Sequence, residues 1–192
     1  MKLISCNSYE ELFSNKYVYL DNNFLEILLK DIEFLPEFIK LSIKGYLMID
    51  PLIKFEFFRD LNDPRQIQIR EQFLSQDDIF NPVIYNHETF FKIMDNAAIL
   101  SRIISFKKQS NNISFIDLML AGRVMSKPDK NLFITANRCD FPACVFDIVS
   151  VLNIRNNSNI AFKPFCVLKF NKDNFDKHYQ QLIDQEKKIL DK

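Results

Sequence analysis

Four acidic residues stand at separated points of the chain, each beside an apolar run. They are Asp21 in YVYLDNNFLEILL, Glu56 in DPLIKFEFFRDL, Asp117 in ISFIDLMLAG and Asp140 in LFITANRCDFP. Folding that gathers four carboxylates makes a strongly negative pocket, and hard divalent cations with oxygen ligands are what neutralise one. Without a cation the carboxylates repel, and at least one holds its proton above the usual range. A bound cation can lower the pKa of water, orient a phosphate and stabilise a departing oxygen. The chemistry indicated is metal-dependent cleavage of phosphodiesters.

Each carboxylate also has an ordinary role open to it. Asp21 can start a helix, and Glu56 can pair with Arg59 at i,i+3. Asp117 follows Ser114 by three, the spacing of a capping box. Asp140 can be a turn residue before Phe141-Pro142. The basic residues near these motifs, Arg123, Lys127, Lys130 and Arg138, are candidate phosphate contacts or plain solvated charge.

The elements that must position these groups follow from pattern. Residues 17–20 (YVYL) read as a strand, followed by a helix through FLEILLKDIEF capped at Asn22 or Asn23, the latter with Glu26 three residues on. Pro36 opens a second helix ending near Gly45. Asp50-Pro51 reads as N-cap and first helical position for LIKFEFFRDL, and Pro64 starts another helix. HETFFKIMDNAAILSRIISFKK carries the apolar period of a buried helical face, broken by QSNN. ISFIDLMLAGRVMS is the next helix, KPDKN a turn and LFIT a buried strand. FDIVSVLNI is ambiguous between strand and helix. IAFKPFCVLKF contains a strand that Pro164 places near an edge, and NFDKHYQQLIDQEKKIL is a final amphipathic helix. Strands alternating with helices predict a mostly parallel sheet covered by helices, whose sites form outside the carboxyl ends of the strands. Asp21 follows YVYL, and Asn137 and Asp140 follow LFIT, so all three belong to that end.

Bulk properties bound the reading. The chain has 192 residues, 47% hydrophobic and 26% charged, which suits one domain with a sizeable core. Twenty Phe supply core volume, and only two Gly leave few turns of positive φ. Twenty-five basic residues balance 25 acidic ones, so a nucleic-acid-directed protein of this composition needs a local basic rim. Cys6, Cys139, Cys144 and Cys166 form no CxxC, and His87 and His178 lie far from them; reduced thiols in a cytosolic protein are expected, not zinc. The start is too short in apolar residues for a secretory signal, and no run reaches the length of a membrane span.

Taken together, the four segments resemble the PIN-domain nucleases. YVYLDNNFLEIL is similar to their opening strand and helix, LIKFEFFRD to their Glu-bearing helix and FIDLMLAGRVM to their later Asp-led helix. LFITANRCDFP is similar to their last diagnostic segment. The match runs from about 17 to 141, with 142–192 as a C-terminal extension of a single 1–192 domain. The resemblance implies a three-layer α/β/α sandwich with a mostly parallel central sheet and a Mg²⁺- or Mn²⁺-dependent ribonuclease site, as in toxin–antitoxin pairs. It assigns Asp21, Glu56, Asp117 and Asp140 as catalytic, metal-binding carboxylates. Many members have Asp at the position of Asn137, which becomes a supporting ligand through water. Arg123, Lys127 and Arg138 become substrate contacts. RNA, an antitoxin protein and a second copy of the chain are the implied partners, in the cytoplasm and without a membrane. Two other readings stand beside this one: a non-catalytic PIN-like domain that binds nucleic acid or protein through a degenerate site, and an unrelated α/β interaction domain whose acidic residues are caps and surface pairs.

Overall fold

The computed structural model describes residues 2–4, 9–30, 38–39, 45–107, 113–155 and 164–191. The chain starts with β1 (Lys2–Ile4), α1 (Tyr9–Phe13) and β2 (Tyr17–Leu20). It continues through α2 (Asn22–Lys30), β3 (Tyr46–Ile49), α3 (Pro51–Phe58), α4 (Pro64–Leu74) and β4 (Phe80–Pro82). Then follow α5 (His87–Phe106), α6 (Phe115–Met125), β5 (Asn131–Thr135), β6 (Phe146–Arg155), β7 (Phe165–Phe170) and α7 (Lys172–Leu190). Of the helix expected to open at Pro36, residues 38–39 are described and are helical; its remainder up to residue 44, the turn at QSNN and Cys6 fall outside the described residues.

The sheet is mixed and has the order β1-β6-β7-β5-β2-β3-β4. Strands β5, β2, β3 and β4 run parallel, with Val18 beside Leu47 on one side and Leu132 on the other. β7, β6 and β1 add an antiparallel half. The expected parallel sheet is therefore present as a block of four strands, and the antiparallel strands β6 and β7 come from the region read as an extension. FDIVSVLNI resolves as strand β6. β7 is internal, between β5 and β6, which corrects the edge position expected from Pro164. That proline stands one residue before the ladder, where its missing N–H removes no bond between strands.

The helix starts are set by side chains that accept from orphan N–H groups. Asp50 accepts from Leu52, Asp63 from Arg65, Asn86 from Thr89, Ser114 from Asp117 and Asn171 from Asn174. The phenylalanines fill the core: Phe24, Phe38, Phe57, Phe133, Phe146 and Phe165 are all buried. Phe24 meets Phe38 and Phe165 edge to face at 5.0 and 4.9 Å, an arrangement favoured by the ring quadrupole. α6 packs on α5 so closely that a Cβ at Gly122 would lie 2.5 Å from the Ile93 carbonyl O. Arg70 of α4 braces two other helices, pairing with Glu26 of α2 and donating to the Phe57 carbonyl of α3. Among the described residues no helix is long and apolar enough to cross a membrane. Cys144 and Cys166 are free thiols.

Candidate functional site

Asp21 is the residue immediately after β2, and its N–H extends the ladder to the Ile134 carbonyl at 3.0 Å. The side chain is buried and held by a short relay. Thr135, the last residue of β5, donates Oγ1–H to Asp21 Oδ2 at 2.6 Å, and Asn23 Nδ2 donates to the same oxygen at 2.7 Å. Behind them the Asn137 N–H donates to Thr135 Oγ1 and the Ala136 N–H to Asn23 Oδ1. The Thr-Ala-Asn run after β5 thus acts through a hydroxyl and two backbone donors that orient Asp21. Asn137's own side chain is exposed.

Burial pushes the Asp21 carboxyl up to about 6, although hydrogen bonds from Thr135 and Asn22 favour the charged form; the charges of Asp117 and Glu56 raise it further. Burial also raises Glu56, as does the charge of Asp117, while Arg59 opposes both. Three of the four expected carboxylates therefore lie within reach of one another's charge, at the carboxyl end of the parallel strands. Asp117 opens α6, where Ser114 Oγ donates to its Oδ2 at 2.6 Å and accepts from its N–H at 3.1 Å. Ser114 caps the helix, with the return bond to Asp117 made by its hydroxyl, and the cap coexists with the charge contact. Asp140 is carried on a short 3₁₀ turn, Arg138–Asp140, its N–H donating to Asn137 O; its charge is not among those acting on Asp21 or Glu56.

The donor set is all oxygen, as Mg²⁺ and Mn²⁺ require. Among the described residues, however, no group of three His, Cys, Asp or Glu is placed to hold one ion. Asp21 Oδ2 already accepts two hydrogen bonds, and Asp117 is engaged by Ser114.

The expected phosphate contacts are not where sequence proximity put them. Arg123 is buried: its guanidinium lies over the Tyr85 ring at 4.4 Å, with Nε 3.6 Å from Asp50 Oδ2. Arg138 donates to the carbonyls of Phe141 and Phe146 and braces the turn after β5. Lys127 sits over the Tyr17 ring at 5.2 Å, and the Lys130 carbonyl accepts from the Tyr17 N–H. Both lysines are thus at the amino end of β2, four residues or roughly 13 Å from Asp21 at strand rise. Among the described residues, Arg59 is a cation whose charge reaches Glu56; it is exposed and paired with Asp60 at 3.2 Å.

A second polar cluster was not expected beyond its helix cap. Asp50, 1% exposed, accepts from Leu52 N at 3.0 Å and from Tyr85 Oη, which lies 2.8 and 2.7 Å from its two oxygens. Tyr19 of β2 adjoins it: burial pushes its hydroxyl up to about 12, with Arg123 opposing and Asp50 adding to the rise. Burial likewise raises Tyr85, as do the charge and hydrogen bond of Asp50. The chain matches no protein-family model, and no curated protein matches it.

Proposed function

We propose that the chain is a PIN-like α/β/α sandwich and a divalent-cation-dependent ribonuclease of the cytoplasm, with Asp21, Glu56 and Asp117 as its reactive pocket. The observation that carries the reading is the buried Asp21 within charge reach of two further carboxylates, at the carboxyl end of a parallel block. Like charges are not gathered in a partly dry place for stability, because each raises the cost of ionising the others. Such an arrangement is characteristic of functional sites. Asp21, locked by Thr135 and Asn23, is the fixed ligand. Glu56, half-buried on α3, and Asp117, at the first turn of α6, lie within reach of its charge. A bound Mg²⁺ or Mn²⁺ supplies charge neutralisation, activation of water and stabilisation of the departing oxygen. Arg59 stands beside the pocket to meet a phosphate.

The test is RNA cleavage with Mg²⁺ or Mn²⁺. Asp21→Asn and Asp117→Asn abolish it with the fold retained by circular dichroism; unchanged cleavage in both variants refutes the assignment. A toxin-type role further predicts growth arrest on expression, relieved by Asp21→Asn. The non-catalytic reading is favoured by one observation, that no three ligands converge among the described residues. Calorimetric titration with Mn²⁺ separates the two, since a degenerate site takes up no ion.

A further inference from the structure

We propose that Asp50, Arg123 and Tyr85 form a buried clamp that sets the position of Glu56 against Asp117, making Tyr85 and Arg123 positioning residues of the acidic pocket. The inference rests on the pocket described above. Asp50 is the N-cap of α3, the helix that carries Glu56 six residues on. Arg123 lies in the last turn of α6, the helix that Asp117 opens. The contact between the Arg123 guanidinium and the Asp50 carboxylate, 3.6 Å, therefore links the two helices that bear the two carboxylates. Tyr85, in the connection between β4 and α5, closes the clamp from a third side. Its hydroxyl lies within hydrogen-bond distance of both Asp50 oxygens and its ring lies under Arg123. The far end of α6 is anchored as well, because Asn131 Nδ2 donates to the Arg123 carbonyl at 2.8 Å.

Stability alone does not account for this arrangement. A buried ion pair gives little net stability unless its geometry is excellent and its remaining donors are satisfied. Here Nε and Nη2 of Arg123 are buried without a hydrogen-bond partner. Apolar side chains of similar volume would hold the two helices together as well. What the charged pair adds is direction: it accepts one relative placement of α3 and α6, with Glu56 and Asp117 each six residues from the clamped residue of its own helix.

The test uses Tyr85→Phe, which keeps the ring and removes the hydroxyl, with Arg123→Lys as a second variant. Ile103→Val, a core truncation on α5, is the control for lost stability. Two quantities are read in each background. The first is a double-mutant cycle between Glu56→Gln and Asp117→Asn, scored by thermal midpoint without metal. The second is the affinity for Mn²⁺ alone by calorimetry. In the native background the two neutralisations are non-additive, because each relieves the same repulsion. The clamp predicts that they become additive in Tyr85→Phe and Arg123→Lys. It also predicts that Mn²⁺ affinity falls by about tenfold, the lower end of what groups behind metal ligands contribute. Ile103→Val keeps both native values. Non-additivity retained in Tyr85→Phe and Arg123→Lys overturns the inference. If the native chain takes up no Mn²⁺ while the cycle still decouples, the clamp stands and the cation-dependent reading falls.

Discussion

Replacing Asp21 by Asn should stabilise the protein while removing its proposed activity. The carboxyl titrates at about 6 in the folded chain against an ordinary value of 3.8, chiefly because it is buried. The folded state thus binds the proton more tightly than the unfolded state. Asp21 carries no penalty below pH 3.8; the penalty grows as pH rises and is complete above about 6. At about 1.4 kcal/mol per pH unit of difference, the full penalty is about 3 kcal/mol. An Asn oxygen in the Oδ2 position still accepts from both Thr135 and Asn23, and losing the second accepting oxygen costs about 1 kcal/mol of hydrogen bonding. The net gain at pH 7 is then about 1–2 kcal/mol, or roughly 2–8 °C in midpoint for a chain of this size. Thermal and urea unfolding of both proteins at pH 7, 6, 5 and 4 read the difference, which should shrink, pass through zero at about pH 4.5 and reverse below it, where the penalty is gone and the lost hydrogen bond remains. Saturating Mn²⁺ should stabilise the native protein and leave Asp21→Asn unmoved. A variant less stable than the native chain at pH 7, or a gain independent of pH, refutes the reasoning.

Other outcomes follow from the same structure. Glu56→Gln should eliminate Mn²⁺-dependent RNA cleavage and lower the Asp21 titration followed by carbon NMR, because a like charge is removed; an unmoved Asp21 would mean that the two groups do not interact. Ser114→Ala should cost about 1 kcal/mol in urea unfolding through the lost α6 cap. Gly122→Ala should cost about 1–3 kcal/mol as α5 and α6 are forced apart, since its Cβ would meet backbone at Ile93; unchanged stability there would contradict the close packing of the two helices.

Much of the fold could be read in advance because its signals are local. YVYL and LFIT are short apolar, β-prone runs flanked by caps and turns, and Asp50-Pro51, Asp63-Pro64 and Ser114 mark helix starts through chemistry confined to a few residues. β4 escaped notice because FNP has neither alternation nor length, and its strand character comes from pairing with β3. The pocket was read from four helix- and strand-end carboxylates; the charges of Asp21, Glu56 and Asp117 reach one another, while no three acidic groups among the described residues are placed to hold one ion. The cations were misplaced because nearness in sequence does not say at which end of a strand a side chain lies. Lys127 and Lys130 precede β5 and so occupy the opposite end from Asp21. Arg123 lies inside a run buried from Met119 to Met125, and its apolar neighbours carried that signal. Asp50 was explained fully as a cap, which concealed its second set of partners.

The bond from Thr135 to Asp21 spans 114 positions of the chain, and this sets a delay on the ribosome. At about 5–20 residues per second, roughly 6–23 s separate the emergence of Asp21 from that of the strand that buries it. During that interval β2 lacks its β5 neighbour, and Asp21 is an ordinary hydrated carboxylate with no oriented partner. The oriented, buried Asp21 therefore comes into being only when β5 closes the centre of the sheet.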